Sequence, residues 1–234
     1  MLGPLNVANL IIWYLVFLFS TTFHEFAHAW LAYRGGDLTA YEGGQVSLDP
    51  VPHIRRSPFG MVIMPLLSFV YAGWMIGWAS TPFDPRWARR HPRRHALMSL
   101  GGPLANLLLA TIGVVVLIVL LRAGVYRIAY PATYAQLVTV VGEEGTRTPL
   151  SALGTALSVM VSLNVLLGLF NLLPVPPLDG AGVVEGFAPR TTGSLYDKFR
   201  EVPMLQLGGL LIAWWIFPLI AQPAVQLVFR VIAF

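Results

Sequence analysis

Val7–Tyr33 is apolar almost throughout, and at ~1.5 Å per residue such a run reaches about 40 Å, enough to cross a hydrocarbon core of about 30 Å. In lipid a backbone must satisfy its hydrogen bonds internally, so a single run of this kind has one available form, a helix. Its last turns nevertheless carry His24-Glu25-Phe26-Ala27-His28. A helix turns once in about 3.6 residues, which puts His24 and His28 on one face. Both imidazoles can then grip one Zn²⁺, with Glu25 beside the metal as a base. Whatever the rest of the chain does, it must bring a further ligand and water to this helix at membrane depth.

Composition agrees with that setting. Of the 234 residues 56% are hydrophobic and 11% charged, with a mean hydropathy of +0.68, against about 45–50% apolar and about 25% charged in soluble domains. The expected fold is an all-α polytopic membrane protein, a bundle of about five to six transmembrane or re-entrant helices with a small β-hairpin or loop near the active site. It forms a single membrane-embedded domain over 1–234. There is no cysteine, which excludes a disulfide framework and a thiolate metal site and leaves His, carboxylate or water as ligands. The net charge of +4 does not indicate nucleic acid, because the arginines cluster between apolar runs as the positive-inside rule expects. The first run lacks a basic leading region and is too long for a signal peptide, so it is read as a retained span.

Along the chain, the core spans are expected over about 7–33, 96–121 and 150–180, with a C-terminal span over 204–221 and a tail that Pro218 and Pro223 kink or split. Between Asp37 and Pro52, mixed apolar and polar residues around Gly43-Gly44 suggest a small β-hairpin or irregular loop, whose edge could hold an unwound substrate as an added strand. Phe59–Ala79 is apolar but interrupted by Gly60, Pro65, Gly73 and Gly77. Five arginines follow between Arg86 and Arg94 and read as cytoplasmic; His91 and His95 are expected to be solvated there. For the end of the first span and the start of the next to share that side, 59–79 must enter and leave by one face, as a re-entrant hairpin. The loop from Arg122 to Thr148, with Tyr126, Tyr130 and Tyr134, is placed outside. The loop from Gly180 to Pro203, with Arg190, Lys198 and Arg200, is placed inside.

A catalytic zinc typically takes three protein ligands and leaves a fourth position to water. Acidic residues among apolar spans are costly and mark function, and apart from Glu25 the outstanding one is Asp179. His24, His28 and Asp179 together make an N₂O set suited to Zn²⁺, with Glu25 taking a proton from water and delivering it to a leaving amine.

The order of His24-Glu25-Phe26-Ala27-His28, Gly101-Gly102-Pro103-Leu104-Ala105-Asn106 and Asn171-Leu172-Leu173-Pro174-Val175-Pro176-Pro177-Leu178-Asp179-Gly180 resembles the site-2 protease family of intramembrane zinc metalloproteases. Val46–His53 and Gly77-Trp78-Ala79 resemble its compact prokaryotic branch without a PDZ domain. The resemblance implies His24, His28 and Asp179 as zinc ligands, Glu25 as catalytic base, and Asn171 as a residue holding substrate or oxyanion. It also implies a transmembrane protein substrate, a prokaryotic cell membrane and an active site towards the cytoplasmic side. His53 and Asn106 fall in similar segments and receive no chemical role, and Gly101-Gly102-Pro103 is read mainly as a packing device. Ala79-Ser80-Thr81-Pro82 departs from the Ala-Lys-Pro usual in that branch. Two other readings remain: a catalytically silent scaffold of the same fold that binds client helices, and a metal transporter. Intact Glu25 speaks against the first, and the lack of ionisable residues in Leu104–Leu121 and Val161–Leu173 against the second. Homo-oligomerisation and a regulatory partner stay open.

Overall fold

The computed structural model describes residues 6–142, 148–188, 196, 198–199 and 202–234. Helix α1 (Val7–Arg34) is turned inside out relative to a soluble helix. Val7, Ile11, Leu15 and Phe19 recur at helical spacing on its exposed side, while Ser20, His24, Glu25 and His28 are buried. That polarity is what a lipid-facing bundle with a polar interior requires.

No strand forms between Asp37 and Pro52. The Asp37 carboxylate accepts from the Thr39 N–H and hydroxyl at 3.0 and 2.6 Å and starts a short helix α2 (Thr39–Glu42). Asp49 accepts from the Val51 N–H at 2.9 Å and caps α3 (Pro50–Arg56), with Pro50 in its first turn. The Asp37 turn before α2, the Asp49 cap of α3 and a proline without an N–H favour helical turns over a ladder, so the expected edge strand is replaced by short helices.

Phe59–Ile63 forms a wider π-type turn that continues into α4 (Met64–Ala72). These residues rise about 21 Å, short of the ~30 Å of a hydrocarbon core. Gly73, in the left-handed region at φ 76°, ends the helix. The chain then runs back: the Ile76 N–H donates to Ser68 Oγ at 2.8 Å and the Trp78 N–H to the Gly60 carbonyl at 3.1 Å. Residue 78 thus lies beside residue 60, and the segment folds back on itself as a hairpin. Phe69 and Met75 from its two arms pack with Trp13 and Phe17 of α1.

After α5 (Pro85–Arg90) comes α6 (Pro92–Arg122). Trp87 Nε1 and Arg94 Nη1 both donate to the Gly35 carbonyl, at 2.9 and 3.1 Å, so the end of α1 and the arginine-rich start of α6 share one end of the bundle. His95, expected in solvent, is buried in the first turns of α6 with its ring 4.9 Å from that of Phe83, because the helix begins at Pro92 and turns it inward. The exposed face of α6 carries Leu97, Leu104, Leu108, Ile112, Val115 and Val119, an apolar stripe for lipid.

A β-hairpin does form, in the Arg122–Thr148 loop at the far end of α6, about 30 Å from Gly102 along the helix. Strands β1 (Tyr126–Thr133) and β2 (Gln136–Val140) pair antiparallel, with Tyr126 opposite Val140 and Ile128 opposite Val138. Tyr126, Leu137, Val138 and Val140 pack on Leu117 of α6 and on Val161 of the next helix.

Helix α7 (Pro149–Asn171) is capped by a reciprocal pair of bonds between Thr148 and Ser151. The expected core span over 150–180 is broken. Pro174, Pro176 and Pro177 lack the N–H that a continuing helix needs, and the chain restarts as α8 (Asp179–Phe187), which replaces the first part of the expected loop. Arg190 and Arg200 lie outside the described residues. At the C-terminus α9 (Pro203–Ile216) and α10 (Pro218–Ala233) meet at a bend of 44°, with Pro218 at the break and Pro223 inside the second helix. Among the described residues α1, α6 and α7 are each long and apolar enough to cross a membrane, and the bent pair can supply a fourth span.

Candidate metal centre

Asp179, Gly182 and Gly186 recur at i, i+3 and i+7 on one face of α8. A Cβ on Gly182 would stand 2.3 Å from Ser99 Oγ, and one on Gly186 2.3 Å from the Pro92 carbonyl. The two glycines thus let α8 lie directly on α6, which carries Asp179 to the face of α1 that holds the histidines. Ligand atoms of His24, His28 and Asp179 lie within 4.8 Å of one another. The two Nε2 atoms are 3.0 Å apart, and Asp179 Oδ2 is 3.0 Å from that of His24 and 3.2 Å from that of His28.

Hydrogen bonds at the opposite ring nitrogens decide what these short distances mean. His28 Nδ1 stands 2.7 Å from the Met98 carbonyl, which can only accept, so Nδ1 carries a proton and the neutral ring has a bare Nε2. His24 Nδ1 faces Asn106 Oδ1 at 2.6 Å and is the donor there too. With both rings neutral, two ring lone pairs and a carboxylate oxygen converge on one another. Asp179 Oδ2, although buried, makes no hydrogen bond. Such a cluster is stable around a cation. Ligand bonds of ~2.0–2.1 Å in a tetrahedral site put donor atoms about 3.3 Å apart, close to the spacing here.

Gly102 keeps the space open. A Cβ there would come within 2.3 Å of His28 Nε2 and 2.4 Å of His24 Nε2, in the volume an ion would take. Read from sequence as packing, this glycine borders the site itself; its neighbour Gly101 is the packing position, against Leu31 and Ala27. Counted from His28 to Arg34, the site lies about 9 Å below the arginine-rich end of α1.

Glu25 is buried on the same helix. The Thr81 hydroxyl, just past the returning arm of the 59–79 hairpin, stands 2.7 Å from Glu25 Oε2 and 3.0 Å from the Glu25 carbonyl. The arm is held beside α1 by Gln45, whose amide donates to the Ser80 carbonyl at 3.3 Å, and by Asp37, which accepts from the Asp84 N–H at 2.8 Å. Asn171 ends α7 with its amide donating to the Leu167 carbonyl at 3.1 Å, one turn back. His53 is fully buried and donates from Nε2 to the Ser47 carbonyl at 3.0 Å, a structural bond within the α3 region.

From sequence, Asn106, Thr81 and Gly102 receive no part in the site, and Asn164 does not stand out at all. Asn106 and Asn164 did carry a signal, since uncharged amides in the middle of long apolar runs need buried partners. Thr81 and Gly102 carried none, because a threonine in a loop and a glycine in a helix are ordinary.

Residues 12–214 match Peptidase family M50. The chain is 34% identical over 171 residues to "Putative zinc metalloprotease YwhC" of Bacillus subtilis, covering 73% of this chain and 66% of that protein. It is 27% identical over 168 residues to "Putative zinc metalloprotease Rip2" of Mycolicibacterium smegmatis, covering 72% and 54%, and 30% identical over 170 residues to the protein of that name in Mycobacterium tuberculosis, with the same coverage. The chain thus spans between about half and two thirds of the length of the curated relatives it matches. No solved structure matches it significantly. With a family match over most of its length, and helices of membrane-spanning length and composition, the chain is an integral membrane protein that belongs to peptidase family M50, the site-2 protease family.

Proposed function

We propose that this protein is a zinc endopeptidase that hydrolyses peptide bonds of transmembrane substrates, working near the cytoplasmic side of a prokaryotic cell membrane. The observation that carries the reading is the convergence of two bare imidazole nitrogens and an unbonded carboxylate oxygen beside a buried glutamate. His24, His28 and Asp179 would hold the ion. Zinc, when bound, supplies Lewis acidity that polarises a peptide carbonyl and acidifies a water molecule.

The chain's own residues do the rest. Glu25 takes the proton of the attacking water and passes it to the leaving amine. With Oε2 held at Thr81, the other oxygen of the carboxylate is the one that receives it. Asn171 retains a second amide hydrogen with which to hold a substrate carbonyl. The arginines at the shared end of α1 and α6 set the orientation towards the cytoplasm. A transmembrane helix hides its peptide bonds in its own hydrogen bonding and must unwind before Glu25 can act on it.

The test is Glu25→Gln in the full chain, with zinc content and cleavage of a transmembrane peptide measured on the same sample. Zinc is expected to stay, and cleavage to fall by at least about 10²–10⁴-fold. Zinc retained with cleavage at the wild-type rate would remove Glu25 as the base.

A further inference from the structure

We propose that Asn106 and Asn164 act as a relay of positioning residues that fixes which nitrogen of His24 carries the proton, and that the relay is anchored on a backbone carbonyl of α7. The proposal rests on the metal-peptidase reading of the site and adds to it the residues that keep His24 competent as a ligand.

The argument runs outward from the one group whose role cannot change. The Met160 carbonyl can only accept. The amide atom of Asn164 that lies 2.8 Å from it is therefore Nδ2, which also lies 2.8 Å from Ser20 Oγ. Asn164 must then present Oδ1 to its other neighbour, Asn106 Nδ2, at 2.7 Å. With its amide group committed as donor, Asn106 presents Oδ1 to His24 Nδ1 at 2.6 Å. An oxygen there requires a protonated Nδ1, and a neutral imidazole with a protonated Nδ1 has a bare Nε2. Each step follows from donor and acceptor identity alone, and the last atom in the series points at Asp179.

Placement supports the same conclusion. Asn106, Asn164 and Ser20 are all fully buried, one each on α6, α7 and α1. An amide at this depth has no water to turn to, so reversing either asparagine would set donor against donor or acceptor against acceptor at 2.8 Å or less. His28 needs no relay, because the Met98 carbonyl meets its Nδ1 directly. His24 has only side chains within reach, and a side-chain amide can flip unless something fixed holds it.

The experiment uses the full chain in detergent, with two readouts that need no substrate: zinc affinity by chelator competition, and ¹⁵N imidazole shifts of the metal-free protein at alkaline pH, with His24 assigned by difference against His24→Gln. Asn106→Leu is expected to lower zinc affinity about 10–100-fold and to move His24 towards the Nε2-protonated form. Asn164→Ala is expected to lower it less, by letting the Asn106 amide turn over. The decisive variant is the double Asn164→Ala, Asn106→Asp. A carboxylate offers oxygen to His24 in either orientation, so it no longer needs the anchor and zinc affinity should return towards wild type. A purely structural role for Asn164 would not be rescued this way.

Wild-type zinc affinity and an unchanged tautomer in Asn106→Leu would overturn the proposal, as would a loss in Asn164→Ala that Asn106→Asp leaves in place. Failure of the peptidase reading looks different: the tautomer and zinc affinity respond as expected while the wild-type protein cleaves no transmembrane peptide.

Discussion

His24 and His28 are held by bonds that end on helix backbone: Met98 on α6 for one, and Met160 on α7, through two asparagines, for the other. Glu25 lies between them in sequence and is held by Thr81, a residue of the extended arm that returns from Gly73. The ligand side of the site is a junction of packed spans. The base side faces an extended strap, tied by hydrogen bonds to Ser68, Gly60, Gln45 and Asp37 and packed on α1 through Met75. Metal ligands must stay put through every turnover, and rigid helices provide that. A peptide has to reach the glutamate, and a segment of few bonds opens at lower free energy than a packed span. One helix, α1, thus presents its motif to two environments of different construction.

This contrast can be broken at graded cost. The largest effect is expected for Gly102→Ala, whose methyl group would stand where the ion must sit; zinc binding by chelator competition should be abolished. Gly101→Ala, one residue away, meets only the tip of Leu31 and the Ala27 carbonyl, so zinc should stay with a modest loss of thermal stability. If both variants bind zinc equally, Gly102 does not border the ion. On the base side, Thr81→Val should leave zinc affinity untouched while kcat/KM falls roughly tenfold, the ~1.5 kcal/mol of one hydrogen bond to a charged group. Loss of zinc in Thr81→Val would mean that the strap and the ligand helices form one unit. The smallest effect is expected for Gly73→Ala. Nothing lies within 4 Å of its added Cβ, so only the left-handed φ is strained, at about 1 kcal/mol in thermal unfolding.

How much of this was legible in the chain follows from distance along it. Helix α1 and its motif were readable because a period of 3.6 and a spacing of four are local facts. Asp179 stood out as a carboxylate among apolar spans, and the structure brings it to the two histidines. The segment expected as a core span over 150–180 consists of a helix to Asn171, a turn through three prolines and a second helix from Asp179. Around Gly43-Gly44, where a hairpin or an irregular loop is expected, Asp37 and Asp49 turn the chain into short helices, and the hairpin at Tyr126–Val140 escapes the sequence because its alternation is weak and its pairing is set by packing on α6 and α7. The arginines on either side of 59–79 speak about the membrane side of its ends, whereas the Trp78–Gly60 bond shows that the chain folds back between them.

What the sequence by itself determined is the solvent and the chemistry: apolar runs that only lipid can cover, and two imidazoles with a glutamate between them on one helical face. Tertiary structure alone decided what makes those groups usable. Asn164 meets Asn106 across 58 positions, and Thr81 meets Glu25 across 56. The physical reason is range. Helix period and hydrophobicity act between near neighbours, whereas the tautomer of an imidazole and the seat of a carboxylate depend on single hydrogen-bonding atoms brought from distant parts of the chain.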